Sequence, residues 1–336
     1  MRKKLPIRLS LIVPVYNRPE EIKELLESLV HQTNNDFEIV IVEDGSTVSS
    51  EPIVNQYQDQ LHLKYFYKDN QGPSIGRNYG IERATGNYFI FVDSDCILPP
   101  AYIEQVKAAL ESDFVDAFGG PDAAREDFSD LQKAISYAMT ATLTTGGIRG
   151  KKKRVDRFYP RSFNMGISKA VVERLGGFPV VRLHPGEDMI FSIQILEAGF
   201  KTRLLPDAVV YHKRRTSLKK FYQQVYKFGF VRVIISALYP QTFKWFYAAP
   251  SVFLLGHLGL LAAASFVPLL LAIPLLYASL VFVDAYGQNK SLAVAALAIL
   301  TSYTQLFGYG MGFLRGYAQG LSRDNARTRD YLKRPV

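Results

Sequence analysis

The sequence has one cysteine, one tryptophan and two long stretches without any charge. Cys96 alone excludes an intrachain disulfide scaffold, and no Cys/His spacing for a structural zinc site occurs. There is no G-x-x-x-x-G-K-[ST] run, which disfavours a Walker nucleotide hydrolase. The segment Gly72–Asn78 is glycine-rich but is not G-x-G-x-x-G, so a dinucleotide Rossmann site is disfavoured too. Acidic residues are scarce late in the chain. Residues 212–336 hold 15 Lys and Arg against 3 Asp and Glu, whereas residues 1–211 hold 25 against 28. A basic half of this kind suits nucleic acid or anionic lipid. The uncharged stretches decide for lipid, because no Asp, Glu, Lys or Arg occurs from Phe246 to Phe282 or from Ser291 to Leu314. A membrane span needs roughly 20 apolar residues. A nucleic-acid partner is therefore not expected.

The first apolar stretch fits one kinked span or two short ones, with Pro268 and Pro274 as candidate breaks, and the second fits one. Basic residues flank the apolar region on both sides, from Lys213 to Lys244 before it and from Arg315 to Arg334 after it. Positive flanks prefer the cytoplasm. Two crossings are expected on that basis, with part of Ala248–Pro274 re-entrant or interfacial. Three crossings would put the basic tail outside. The N-terminus lacks a signal-peptide pattern, so the preceding domain is expected in the cytosol.

What is present before residue 115 is an alternation of strands and helices. Leu9–Tyr16, Phe37–Glu43, Leu63–Tyr67 and Tyr88–Asp93 read as strands. Pro19–Val30, Glu51–Gln60, Ser74–Thr85 and Pro100–Leu110 read as helices. This order predicts an α/β fold with a mostly parallel sheet and helices on both faces. Later, Gly150–Arg154 reads as an exposed basic loop, Lys169–Leu175 and Asp188–Gly199 as helices, and Ser217–Leu238 as a basic, aromatic helix in a membrane interface.

In parallel sheets, ligands sit at the carboxyl ends of strands. Asp93-Ser94-Asp95 follows a buried strand, and two such carboxylates suit Mg²⁺ or Mn²⁺ bridging a sugar diphosphate. Alone, the same spacing is also a common turn. Glu43-Asp44-Gly45-Ser46 ends another strand in the same way. Gly72-Pro-Ser-Ile-Gly76-Arg77-Asn78 opens a helix whose amides, with Arg77, suit phosphate. Gly186-Glu187-Asp188 starts a later helix, where a carboxylate can be a cap or a general base. His212 is a metal ligand or a structural histidine.

Together, Ser10-Leu-Ile-Val-Pro-Val-Tyr-Asn17, Val42–Ser46, Asn70–Asn78, Val92–Asp95 and Gly186–Asp188 resemble family 2 glycosyltransferases of the GT-A fold. The resemblance covers about residues 8–215. The later pattern, from Gly176-Gly-Phe178 through His212 to Gly310–Gly316, is similar to the membrane-attached, succinoglycan-biosynthesis type. It implies a GT-A domain over residues 1–215, basic interfacial helices over 216–248, transmembrane helices over 249–316 and a basic cytoplasmic tail over 317–336. It implies that Pro14, Tyr16, Asn17, Asp44, Arg77, Asp93 and Asn164 line the nucleotide-sugar site. Asp95 and His212 would ligate Mn²⁺ or Mg²⁺. Asp188 would be the catalytic base, with Glu187 orienting the acceptor or supporting the base. The donor implied is a nucleotide-diphosphate sugar, UDP by family frequency, and the acceptor a lipid-linked saccharide at the cytoplasmic face of the inner membrane. A polyprenyl-phosphate acceptor and a non-catalytic nucleotide-sugar-binding subunit are the alternatives. Two departures stand out. The usual Asp-Asp-Gly-Ser reads Glu43-Asp44-Gly45-Ser46. The Gln-x-x-Arg-Trp gate of processive synthases is absent, since Trp245 follows Thr242-Phe-Lys244.

Overall fold

The computed structural model describes residues 6–146, 158–320 and 325–333. The expected basic loop Gly150–Arg154 lies outside the described residues, as do residues 321–324 and 334–336 of the tail. In chain order the elements are β1 (Leu9–Val15), α1 (Pro19–Val30), β2 (Phe37–Asp44), α2 (Glu51–Val54), β3 (Leu63–Lys68), α3 (Pro73–Arg83), β4 (Tyr88–Val92), β5 (Cys96–Ile97), α4 (Tyr102–Ser112), β6 (Ala117–Gly119) and β7 (Asp122–Ala123). They continue with α5 (Asp130–Thr140), α6 (Thr142–Thr145), β8 (Asn164–Ser168), α7 (Lys169–Leu175), α8 (Glu187–Glu197), β9 (Thr202–Leu204), β10 (Val210–His212), α9 (Leu218–Leu238), α10 (Ala249–Ala264), α11 (Ala272–Asn289), α12 (Leu292–Ala318) and α13 (Ala326–Asp330). The chain divides into two compact units.

The first unit comprises residues 1–123, 152–180 and 187–212. Its seven-stranded sheet has the order β3-β2-β1-β4-β8-β6-β9. β8 alone runs antiparallel to its neighbours, so the sheet is mostly parallel, as expected. Successive strand residues point to opposite faces. Leu11, Val13, Ile39, Ile41 and Ile90 pack on one face with α1 and α4 through Leu25, Leu26, Ile103 and Val106. Ile12, Val40, Val42, Phe89 and Phe91 pack on the other with Ile81, Val171, Phe191 and Ile195. Each such buried side chain contributes roughly 1.5–3 kcal/mol. Both faces being covered explains why these strands read as unbroken apolar runs. The helix expected over Glu51–Gln60 is shorter: α2 ends at Val54 and a 3₁₀ turn, Asn55–Tyr57, follows.

The chain runs β1, β2, β3 in one direction and then returns to place β4 on the far side of β1. That reversal opens a crevice beyond the carboxyl ends of β1 and β4. Tyr16, Asn17, Arg18, Asp93 and Asp95 all follow these two strands. A small sheet, β5-β10-β7, draws its strands from distant parts of the chain and pairs His212 with Cys96.

The second unit comprises residues 124–151, 181–186 and 213–336. Among the described residues, three helical segments are long and apolar enough to cross a membrane: Trp245–Ala264, Pro268–Asn289 and Leu292–Ala318. The chain breaks between the first two at Pro268, while Pro274 is absorbed into the first turn of α11, where no amide hydrogen is required. α9 forms as expected, with Ser217 capping it through the Lys220 amide. It runs along α12. A Cβ on Gly312 would lie 2.0 Å from the Tyr226 carbonyl oxygen, and one on Gly229 2.0 Å from that of Tyr309. Only glycine permits so close a backbone approach. α5 packs with Val281, Ala285 and Val294, and Tyr137 donates to Asp284, an acid set in an otherwise apolar helix, at 2.7 Å.

Candidate active site

The site is built from the strand ends of the first unit. Asn17, just past β1, has φ +53°. Its Oδ1 accepts from the Thr47 and Val48 amides, and its own amide donates to Ser46 Oγ. This ties the β1 end to the loop after β2. Glu43, at the end of β2, is fully buried and accepts from Ser46 Oγ, the Ser50 amide at 2.7 Å and Tyr65 OH at 3.1 Å. Asp44 accepts from Lys68 Nζ at 2.5 Å and from the Gln71 and Gly72 amides. Both carboxylates therefore shape the loops beside the crevice. Gly45 needs its positive φ of +72°, and a Cβ there would lie 2.4 Å from the Asn70 amide nitrogen.

The acidic pair after β4 has separate surroundings. Asp93 is one-third exposed and accepts from Arg77 Nη2 at 2.9 Å. Asp95 is buried. Its Oδ2 accepts from Arg18 Nη1 at 2.5 Å and its Oδ1 lies 3.1 Å from His212 Nε2. His212 stacks on Phe163 with ring centroids 5.2 Å apart. Ligand atoms of Asp95, Cys96 and His212 lie within 4.8 Å of one another. Cys96 is wholly buried in the apolar core, and burial pushes its thiol well above its ordinary pKa. The oxygen and nitrogen of Asp95 and His212 are the donors that suit Mn²⁺ or a similar borderline cation.

Glu187 and Asp188 open α8, and both are buried. Asp188 Oδ2 accepts from Arg161 Nε at 2.7 Å and from the Ser162 amide at 3.4 Å, while Oδ1 accepts from the Met189 amide at 2.7 Å. Burial raises the Asp188 pKa, but the Arg161 charge and hydrogen bond, with Arg77 beyond them, more than offset it and leave the carboxyl below its ordinary range. Arg77 Nη1 lies 3.7 Å from Glu187, and its guanidinium sits 5.2 Å over the Phe178 ring. One buried arginine thus joins Asp93 to Glu187 across 94 residues of sequence.

The structure brings together Arg77, Asp93, Asp95, His212, Glu187 and Asp188. Tyr16 and Asn17 are exposed at the end of β1, and Pro14 is half-buried within it. Two of the expected site residues also have structural contacts of their own. Asn164 is fully buried: its Oδ1 accepts from Tyr102 OH at 2.6 Å and its Nδ2 donates to the Ala208 carbonyl at 2.7 Å. It stitches β8 to α4 and to the segment before β10. Asp44 holds the loop ahead of α3. Two residues were missed, Arg18 and Arg161. Each pairs with a carboxylate far along the chain, and the only sequence signal was an arginine one residue past Asn17 and another three before Asn164.

Residues 10–176 match the family described as Glycosyl transferase family 2. The chain belongs to that family. This family 2 glycosyltransferase is 41% identical over 108 residues to the uncharacterized glycosyltransferase YibD of Escherichia coli K12, 32% of this chain and 31% of that one. It is 26% identical over 219 residues to the glycosyltransferase AglE of Haloferax volcanii, 64% of this chain and 69% of that one. An uncharacterized glycosyltransferase of Rickettsia felis is 39% identical over 109 residues, which span only 18% of its length. The mannosyltransferase PcManGT of Pyrobaculum calidifontis, solved with GDP-Man and Mn²⁺, has the same fold with a TM-score of 0.60 at 22% identity. That likeness covers 89% of this chain and 88% of PcManGT. Glu187, Asp188 and His212 lie beyond the segment that the family match covers.

Proposed function

We propose that this glycosyltransferase moves a sugar from a nucleotide-diphosphate sugar, UDP-linked by preference, to a hydroxyl of a lipid-linked saccharide, with inversion. The observation that carries the proposal is Arg77, which holds an acid of the Asp93–Asp95 pair and an acid of the Glu187–Asp188 pair on one guanidinium. A donor-side cluster and a base-side cluster thereby share one crevice. Asp95 and His212 would hold a divalent cation, whose charge offsets that developing on the departing diphosphate. Asp188 accepts the proton of the acceptor hydroxyl. The freed oxygen attacks the anomeric carbon as the bond from that carbon to the diphosphate oxygen breaks. One displacement inverts the anomeric centre. Glu187 and Arg77 fix the start of α8 and hold Asp188 in place. Tyr16, Asn17 and Pro14 line the nucleotide side.

A lipid-linked acceptor is proposed because three apolar helices follow the site in the chain. The basic flanks of those helices support placing the catalytic unit at the cytoplasmic face of the inner membrane. Polysaccharide or glycan biosynthesis is the corresponding setting. The test is nucleoside diphosphate release by the full chain in detergent. UDP-, GDP- and dTDP-sugars are screened with Mn²⁺ or Mg²⁺, with and without a membrane-lipid extract. Release that needs a metal and the extract is expected. Donor binding without release under any of these conditions would contradict catalysis and favour a nucleotide-sugar-binding subunit.

A further inference from the structure

We propose that Arg161 is a positioning residue of the transfer reaction: it holds Asp188 as an ionised, aimed base until the acceptor hydroxyl arrives. The inference rests on Asp188 being the base, and it deepens that reading by assigning what sets the base's strength.

Four observations carry it. First, Arg161 Nε donates to Asp188 Oδ2 at 2.7 Å, and the neighbouring Ser162 amide reaches the same oxygen. Second, the backbone around Arg161 is itself anchored to α8, because Ser192 Oγ donates to the Pro160 carbonyl at 2.5 Å. The guanidinium and the carboxylate are therefore fixed from both ends. Third, Asp188 is 7% exposed. A buried carboxyl without a cation would take up a proton. Fourth, the Arg161 side chain is 30% exposed. It is therefore open to solvent on one side while it holds Asp188 on the other.

The charged groups around Asp188 are Arg161 on the loop before β8, Arg77 on α3 and Glu187 on α8 itself, while Asp122 of β7 acts on Arg161. Two cations face two further acids, and Arg161 makes the direct hydrogen bond. Its removal leaves Arg77 shared among Asp93, Glu187 and Asp188. A carboxyl that loses a cation within hydrogen-bond reach rises by about one to three pH units. The base would then be protonated at a pH where the native protein is active, and the acid limb of the rate profile would move up. Arg161 also selects which carboxylate lone pair remains for the hydroxyl, since Met189 takes one site on Oδ1 and Arg161 and Ser162 share Oδ2.

The experiment uses the full chain, wild type, Arg161→Lys, Arg161→Gln and Asp188→Asn. Two readouts run in parallel. One is the pH dependence of kcat/KM for the nucleotide sugar that the wild type consumes in the presence of the lipid extract. The other is pH-difference infrared spectroscopy of the protonated carboxyl stretch, assigned to Asp188 by its loss in Asp188→Asn. The expected result is an acid limb and an infrared titration that both move up by about one unit or more in Arg161→Gln. Arg161→Lys should lie between, because it keeps the charge and loses the fixed fork. Thermal melting of each variant identifies any that fail to fold, and Arg161→Lys then carries the comparison. An infrared titration that stays put in the folded Arg161 variants overturns the inference. If Asp188→Asn keeps full activity while the infrared shift appears, the base reading fails and Arg161 is left as a structural partner only.

Discussion

The two units solve opposite problems. In the first, carboxylates are buried: Glu38, Glu43, Asp44, Asp95, Glu187 and Asp188 are all hidden from solvent. In the second, apolar side chains are exposed, among them Leu255, Leu269, Leu275 and Val283 on or between the long helices. A buried acid needs a cation or several donors, and an exposed leucine row needs a solvent other than water. The first arrangement supports the proposed holding of an ion, a diphosphate and a proton. The second gives helices long and apolar enough to cross a membrane. The contrast lies in side-chain chemistry, since both units also hold clusters of buried apolar residues.

The largest effect expected from breaking this contrast is at Arg77. Replacing it by Met leaves Asp93 and Glu187 without their shared cation, and removing one partner of a buried pair costs about 3–5 kcal/mol. Thermal melting of Arg77→Met should show a fall of many degrees, and an unchanged melting temperature would mean that the pairing is worth little. On the other side, Leu275 is 66% exposed on α11. In water Leu275→Asp would cost less than ~0.5 kcal/mol. In a bilayer it should oppose insertion by about 2.5–3.5 kcal/mol, read as a loss of membrane-integrated protein in a carbonate-extraction assay. Normal integration would contradict a lipid-facing α11.

Asn164→Ala sharpens the account of the crevice wall. It leaves Tyr102 OH and the Ala208 carbonyl unpaired in the core, at about 1–3 kcal/mol. Denaturant unfolding should report the loss, while the KM for the nucleotide sugar in the folded fraction should hold. A raised KM with unchanged stability would support the donor-site role implied for Asn164. The effect confined to acid pH is at Glu38. Burial raises its pKa, but Ser10, Lys64 and the Thr85 amide lower it to about 2. Its stabilising contribution is complete above its ordinary pKa near 4.5 and fades as pH falls towards 2. Glu38→Gln should therefore flatten the decline of the melting temperature in that window. A decline as steep as that of the wild type would assign it to other groups.

The strands β1 to β4 and their helices were legible because both sheet faces are covered, which writes continuous apolar runs into the sequence. The acids at their ends were legible because polarity switches on abruptly after Val92 and Val42. What escaped was long-range. Arg18 meets Asp95 across 77 residues and Arg161 meets Asp188 across 27, and no local pattern announces such pairs. The short strands β5, β7 and β10 escaped for a related reason, since two or three residues gain strand geometry only from their partners. Asp44 reads as a nucleotide-sugar contact through the family resemblance, and Glu43 as a departure from the family pattern. Their loop amides, which occupy them, become visible only once the loop is folded. The preference for two crossings came from basic flanks on both sides, whereas Pro268 divides the first stretch into two helices of spanning length.

The most direct measurement compares nucleoside diphosphate release by wild type, Asp95→Ala and Asp188→Asn, with the metal and the lipid extract present. Loss of release in both variants, measured on protein that still melts cooperatively, is expected of a cation held at Asp95 and a base at Asp188 acting in one crevice. Release that survives Asp188→Asn would contradict the hydroxyl acceptor and point to a phosphate acceptor that needs no base. Release that survives both substitutions would place the chemistry elsewhere in the chain.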